Sequence, residues 1–537
     1  MTSLLKKNKA NFVELTPLSF LYRTKEIFPN RLAWIYGKRK ATYDEFYTRC
    51  KKLAVALKNM NIKDKDVVSV MLPNVPEMLE AHFGVPMSGA ILNSLNTRLE
   101  IRSIEYILKH SKSKFLIFHE DYIDLIKNLS KKLKIKLILV RDKKNIRLRE
   151  IEDYQSFLNK VPISKFTNLS NYYPKNEWDA ITLNYTSGTT GEPKGVLYHH
   201  RGAHLMCFNN QMVWKMGYHP TYLWTLPMFH CNGWCFPWTI VALAGTQVCI
   251  NKFTGKDIML SINKNDITHL CGAPIVLQMI IDHKKFKKNK KTINVMTAAS
   301  PPPPSVLEDI EKSGFDVTHV YGLTESYGPA VICEWKPEWN KINSSSKKAV
   351  LKARQGVNYP SLNFLDVFNP KNMKPVKRDG KSLGEVFFKG NIIMKGYLNN
   401  VSANKLAFKN GWFHTGDLAV MHEDGYIELK DRSKDIIISG GENISSIEIE
   451  KIIIQHPYVK DCAVIGVPDN KWGEVPCAFI EKNNSLTADS ILKFCRKYLA
   501  GFKIPKKIIF EKLPRTSTGK IQKYNLRKIA AKNHDKI

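Results

Sequence analysis

Between Tyr185 and Gly195 the chain reads Tyr-Thr-Ser-Gly-Thr-Thr-Gly-Glu-Pro-Lys-Gly. Such a stretch could hold a phosphate. Gly188, Gly191 and Gly195 permit a tight backbone whose N–H groups converge on an anion. Thr186, Ser187, Thr189 and Thr190 add hydroxyl donors, and Lys194 adds a positive charge. This is not a Walker loop, which needs a glycine directly before the lysine and Ser or Thr directly after it. Pro193 and Gly195 occupy those places. An ordinary Gly/Thr surface loop is the competing reading, and the density of donors speaks against it.

The elements around this loop read as α/β. Asp179 to Asn184 has the character of a strand entering it. From Pro17 to about Ser170, strand-like runs such as Val67 to Leu72 alternate with helical ones such as Glu45 to Cys50, which argues for α/β layers. A sharper change falls near Lys430. Gly425 to Lys430 reads as a strand, Asp431 to Asp435 carries five polar residues, and Ile436 to Ile438 resumes an apolar strand. Ser445 or Ser446 can cap a helix through Ile447, Ile449 and Ile452 that stops before Pro457. A second helix is expected from about Ala488 to Leu499. These signals predict a large α/β body over residues 1–430 and a small mobile α+β domain over 431–537. The polar connection suits either a hinge or a plain surface turn.

Further segments follow the loop in a fixed order: Pro227 to Trp234, Gly272-Ala273-Pro274, Thr297 to Ser300, Tyr321 to Ser326, Gly411 to Asp417 and Pro514 to Ile521. Together with the loop they resemble the adenylate-forming (AMP-binding) superfamily, which includes acyl-CoA synthetases, luciferases and peptide-synthetase adenylation domains. The resemblance runs from near Pro17 to the C-terminal region. It implies an enzyme that joins a carboxylate to AMP, releases pyrophosphate and passes the acyl group on, with ATP, Mg²⁺ and CoA as cofactor and co-substrates.

The resemblance also implies roles. Thr186, Ser187, Gly188, Thr189, Thr190, Gly191 and Lys194 would cradle phosphates. His230, which alone reads as a satisfied buried histidine, would lie beside the carboxylate and steer it; carboxylic acids are already ionised at neutral pH, so no strong base is needed. Ala298, Ala299 and Ser300 would border adenine, although similar enzymes often carry Gly-Gly-Ala there. Tyr321 and Gly322 would line the base, Thr324 the α-phosphate, and Glu325 would hold the metal. Asp417 would accept from both ribose hydroxyls, with Arg432 helping to hold ribose or phosphate. Lys520 would swing in during adenylation. Gly440, Gly441 and Glu442 resemble the loop that lines a pantetheine channel.

The short run after Lys520 leaves no space for a carrier domain, so CoA is the expected acceptor. Leu15 to Leu21 and Leu95 to Leu99 look like enzymes for short- and medium-chain fatty acids. Gly322, where acetate-specific relatives place a tryptophan, argues for acids longer than acetate, and Trp234 argues against very long ones. Aromatic or methylthio-substituted acids, or a standalone adenylation enzyme with another acceptor, stand as alternatives.

The net charge of +33 could signal nucleic-acid or membrane binding, but the basic residues are spread along the whole chain. The expectation is therefore small-molecule partners (acid, ATP and CoA), no nucleic acid and no integral membrane association. The oligomeric state stays open, a homodimer included. Ten cysteines lack a paired framework, no apolar signal core starts the chain, and its last residues do not match a peroxisomal tripeptide, so a cytoplasmic location is expected.

Overall fold

A computed structural model describes residues 6–130, 133, 135–142, 151–162, 173–186, 193–283, 291–298, 304–432, 435–439, 442–469, 472–482, 486–515 and 521–534. Among these residues the chain forms four sheets. The first is built around Val67–Met71, whose five side chains are all buried. A strand apolar on both faces needs cover on both, which suits a parallel position. It lies parallel between Ile91–Ser94 and Phe115–His119. Ile91–Ser94 continues in parallel to Ala180–Thr186, which then turns back antiparallel into Lys194–His199, with Thr186 opposite Lys194. The glycine-rich stretch follows the first of these two paired strands in the sequence, and its residues 187–192 lie outside the described ones.

Helix packing braces this part of the body. Tyr43–Asn59 opens with a capping box: the Thr42 hydroxyl accepts from the Glu45 N–H, and the Glu45 carboxylate accepts from the Thr42 N–H. It packs against Pro76–Met87 at Gly84, where an added Cβ would stand 2.8 Å from the Cys50 carbonyl oxygen and from Leu53. Only glycine allows that approach.

The second sheet carries Thr221–Trp224, Thr246–Cys249, His269–Cys271, Ile293–Thr297 and Phe315–Leu323 in parallel. Four of these strands lead at their carboxyl ends into candidate site segments after Trp224, Cys271, Thr297 and Leu323. Open α/β sheets bind ligands at such ends.

A third, antiparallel sheet contains Leu383–Lys389, Phe413–Met421 and Ile427–Arg432. The sequence reading ends the last of these at Lys430. The strand instead continues through Asp431 and Arg432, and Arg432 pairs with Asp417. Asp431 is 3% exposed despite its polar neighbours, because its Oδ2 accepts from the Ser446 backbone N–H (2.7 Å) and hydroxyl (2.6 Å).

The fourth sheet pairs Val459–Asp469 with Gly473–Lys482, and Lys507–Phe510 joins in parallel. Alternate residues face two cores. Val464, Ala478 and Ile480 pack with Ile449, Ile453 and Ile491, from helices Ser446–Ile453 and Ala488–Arg496. Ile465, Val467, Cys477 and Phe479 pack with Leu526 and Ala530 of helix Lys523–His534. Period-two alternation sorting side chains to opposite faces makes this a covered α/β layer of its own. The chain therefore has a large α/β body and a smaller C-terminal α+β part.

Candidate active site

The hairpin flanked by Thr186 and Lys194 is tied to the Tyr321–Ser326 segment by two tyrosines. The Tyr198 hydroxyl donates to the Thr324 carbonyl oxygen at 2.6 Å. The Tyr397 hydroxyl donates to Glu325 Oε1 at 2.8 Å, and the Lys194 ammonium sits 5.0 Å from the Tyr397 ring centroid. Tyr397 reaches this place because Gly396–Tyr397 pairs antiparallel with the outgoing strand of the hairpin. Burial and the neighbouring Glu325 carboxylate push the Tyr397 phenol pKa up, so it stays a donor. Tyr198 stacks on Tyr327 with centroids 4.0 Å apart, and Gly202 leaves space for that ring: a Cβ there would lie 2.4 Å from the Tyr327 hydroxyl. None of these ties was legible in the motifs.

His230 follows the strand Thr221–Trp224 by a loop clamped at its entry. The buried Asn74 amide donates to the Trp224 and Leu226 carbonyls (2.9 and 3.0 Å) and accepts from the Met228 N–H (2.8 Å). His230 and Cys231 share a cleft with Asn184, Tyr185, Phe229 and Thr324. The Cys231 thiol lies 3.3 Å from the Thr324 hydroxyl. Burial raises the thiol pKa to about 12, which removes it as a nucleophile at neutral pH.

On another wall the Tyr321 hydroxyl donates to Asp417 Oδ2 at 2.7 Å, and both residues are buried. The Asp417 turn is itself braced: the Gly416 N–H donates to Glu385 and the Thr415 hydroxyl to the Val386 carbonyl. Tyr321 and Asp417 are therefore one unit. Gly322 has a reason the sequence did not disclose. A Cβ there would stand 1.9 Å from the Gly328 carbonyl oxygen, so the neighbouring strand Gly328–Ile332 dictates glycine at this place. The missing side chain by itself is thus no measure of an open acid pocket. Ala298 is half-buried just past Ile293–Thr297, and the Thr297 hydroxyl is buried without a partner among the described residues.

The structure brings together Thr186, Lys194, His230, Thr324 and Glu325 around the hairpin and cleft, and pairs Tyr321 with Asp417. Ser187, Gly188, Thr189, Thr190, Gly191, Ala299, Ser300, Gly440, Gly441 and Lys520 lie outside the described residues. Of Arg432 and Glu442 only the backbone is described.

The family model for the AMP-binding enzyme matches residues 21–398, and that for the AMP-binding enzyme C-terminal domain matches residues 448–520. The chain is 44% identical to an acetate/butyrate–CoA ligase of Arabidopsis thaliana, named as peroxisomal, over 97% of this chain and 96% of the relative. It is 45% identical to a peroxisomal trans-cinnamate:CoA ligase of Petunia hybrida, over 98% and 96%. The o-succinylbenzoate CoA synthetase of Bacillus subtilis, solved with its acyl-adenylate intermediate, superposes with a TM-score of 0.82 at 26% identity, covering 96% of this chain and 99% of that one. The same enzyme solved with ATP and a magnesium ion superposes with a TM-score of 0.81 at 26% identity, covering 95% and 99%. The chain belongs to the AMP-binding enzyme family.

Proposed function

We propose that the protein is an AMP-forming acid–CoA ligase acting on short- to medium-chain fatty acids. The observation that carries this is the double tether of the phosphate hairpin to the Thr324–Glu325 turn, with His230 on the same cleft. It brings the Lys194 ammonium and the Glu325 carboxylate to the same tyrosine, as anionic substrates and a cation require.

In the first half-reaction a carboxylate oxygen of the acid attacks the α-phosphorus of ATP. The bond to the β-phosphate oxygen breaks, leaving acyl-adenylate and pyrophosphate. His230 orients the acid, already an anion. Thr186, Ser187, Gly188, Thr189, Thr190, Gly191 and Lys194 hold the phosphates, and Thr324 reaches the α-phosphate. Tyr321, Gly322, Ala298, Ala299 and Ser300 border the base; Asp417, with Arg432, holds the ribose. Glu325 is the residue that would hold Mg²⁺: its carboxylate is a hard oxygen donor fixed by Tyr397, the tyrosine that Lys194 also meets, and a similar structure holds ATP and a magnesium ion. When bound, the ion supplies charge neutralisation. In the second half-reaction the CoA thiol attacks the acyl carbonyl carbon, AMP leaves, and the thiol proton passes to solvent. Gly440, Gly441 and Glu442 line the thiol's approach once the part beyond Arg432, Lys520 included, has turned away.

Aromatic acids form the second reading, favoured by the equally similar trans-cinnamate:CoA ligase. A panel of acetate, butyrate, hexanoate, benzoate and cinnamate, scored by CoA-dependent AMP release, separates the two; turnover of acetate alone would overturn the chain-length proposal. Lys520→Ala should slow adenylation by about 10²–10³ while sparing thioester formation from supplied acyl-AMP. Equal loss in both halves would refute a lysine that serves one. For location we keep to the cytoplasm, on ten free thiols that suit a reducing compartment. Imaging of a tagged chain decides between it and the peroxisome named for several relatives.

A further inference from the structure

The residues after His230 adopt an unusual backbone. Cys231, Asn232, Gly233, Trp234 and Cys235 have φ of 45°, 43°, 54°, 54° and 63°, a run of consecutive left-handed residues. Residues other than glycine disfavour that region, and Cys231, Trp234 and Cys235 have no side chain suited to it. Runs of this kind persist only where surrounding structure over-determines them, and they gather at functional sites.

The determinant lies in one buried side chain. Asn232 is fully buried, and its Nδ2 donates to His82 Nε2 (3.4 Å) and to Ser94 Oγ (3.2 Å). The direction of these bonds follows from His82. Its Nδ1 faces the Met78 carbonyl at 2.7 Å, which can only accept, so the proton is on Nδ1 and Nε2 presents a lone pair. Burial pushes the His82 pKa down to about 4, which keeps that lone pair available at neutral pH. Ser94, having accepted from Asn232, donates to Asn184 Oδ1 at 3.2 Å, and Asn184 lines the His230 cleft. Asn232 Oδ1 finds no donor among the described residues. A half-satisfied buried amide costs stability, so overall stability alone does not account for it.

The turn that Asn232 pins has two working ends. One is His230, whose carbonyl accepts from the Gly233 N–H at 2.9 Å. The other is the Trp234 ring, seated on Gly328 so closely that a Cβ there would lie 2.6 Å from Trp234 Cδ1. The Trp234 carbonyl is held from behind by Asn210 Nδ2 at 2.9 Å.

We propose that Asn232 is a positioning residue for the acid: by pinning the left-handed turn to His82 and Ser94, it sets where His230 and Trp234 meet the carboxylate substrate. This rests on the acid–CoA ligase reading. The test is Asn232→Gly, since glycine tolerates the left-handed backbone and the change removes only the side chain's bonds. KM for the best acid of the panel should rise about tenfold, with KM for ATP within about twofold of wild type. Ser94→Ala keeps Asn232 and removes one of its acceptors, along with the Ser94 hydroxyl's contacts to Asn184 and the Phe229 carbonyl; it should give a smaller rise of about threefold, and adding it to Asn232→Gly should raise the acid KM by less than the product of the two single effects. Ser94→Ala also serves alone if Asn232→Gly does not fold. Parallel rises in both KM values, or a lowered Tm with the acid KM unchanged, would overturn the proposal. A wild-type enzyme inert toward every acid would instead remove the ligase reading, and this inference with it.

Discussion

The large body and the C-terminal part weight their buried polar groups differently. The large body holds ion pairs, such as Arg49 with the fully buried Glu80 at 2.5 Å, and beside them a set of neutral histidines. His82, His199, His200 and His269 are buried, and burial drives their pKa values down to about 4, 4, 3 and 4. Each is used as an uncharged ring: His199 Nδ1 accepts from the Gly202 N–H at 2.8 Å, and His269 Nε2 accepts from the Asn294 amide at 3.3 Å. The C-terminal part gathers ion pairs near the point where the chain leaves the third sheet. Lys523 meets Glu450 at 2.8 Å and Arg527 meets Asp435 at 2.6 Å, beside Asp431 on Ser446. A neutral network fixes one geometry. A charged network at the point where the chain leaves the third sheet has a strength that pH and local charge can alter, which suits a part proposed to turn.

Acid should break the comparison most severely. An unfolded histidine binds a proton near pH 6.5, whereas these four resist it until about pH 4 or below. Between those values the unfolded state holds more protons, so stability falls as pH falls. Each site loses about 3 kcal/mol by pH 4 on the order of 1.4 kcal/mol per unit. The Tm should therefore drop steeply from pH 6.5 downward. His269→Asn, which keeps a neutral polar group, should flatten that slope by one proton. A flat Tm between pH 6.5 and 4.5 would show that these rings are protonated in the folded protein.

The next effect belongs to the C-terminal part. Burial works against the Lys523 ammonium, but Glu450 and Asp431 overcome it and its pKa is raised. That contribution is complete below the unfolded value of 10.5 and is lost only as pH rises through the folded one. Lys523→Met strands Glu450, whose side chain is 21% exposed, and should cost about 2–4 kcal/mol. Because the pair lies in one part, hydrogen exchange should accelerate in Ser446–Ile453 and not in Val67–Met71. Lys523→Met with Glu450→Gln should recover most of the loss. Uniform acceleration through both parts would show that their stabilities are not separable.

What the sequence disclosed follows the same division. Local signals were legible: the buried strand at Val67, the Ser445 cap, which accepts from the Glu448 N–H at 3.2 Å, and the strand leading to the glycine-rich stretch. The short motifs marked His230, Tyr321, Glu325 and Asp417 because each carries its neighbours with it. Partners far along the chain were not legible. Tyr397 stands 72 residues from Glu325 and His82 150 from Asn232, and neither has a local pattern that announces a role. Asp431 was read as part of a solvated connection because its neighbours are polar; its burial depends on Ser446 folding back onto it. Gly322 was read as a statement about the acid, whereas a backbone carbonyl on another strand dictates it. Composition along the chain reports exposure only where tertiary contacts do not intervene.

The smallest effect tests a carboxylate of the large body. Tyr397→Phe deletes one phenol bond to Glu325 and leaves the ring beneath Lys194 in place. A hydrogen bond to a charged acceptor that also meets solvent is worth about 1–2 kcal/mol, so the direct loss is modest. Its consequence should be selective, because Glu325 is the proposed metal-holding group and His230 is anchored separately through Asn74. KM for Mg·ATP should rise about five- to tenfold, KM for the acid should stay near wild type, and raising free Mg²⁺ should recover part of the loss. Tyr198→Phe, which frees a backbone carbonyl and touches no carboxylate, should shift Tm slightly without magnesium rescue. If both variants responded to magnesium alike, Tyr397 would be a brace of the turn and not a holder of Glu325.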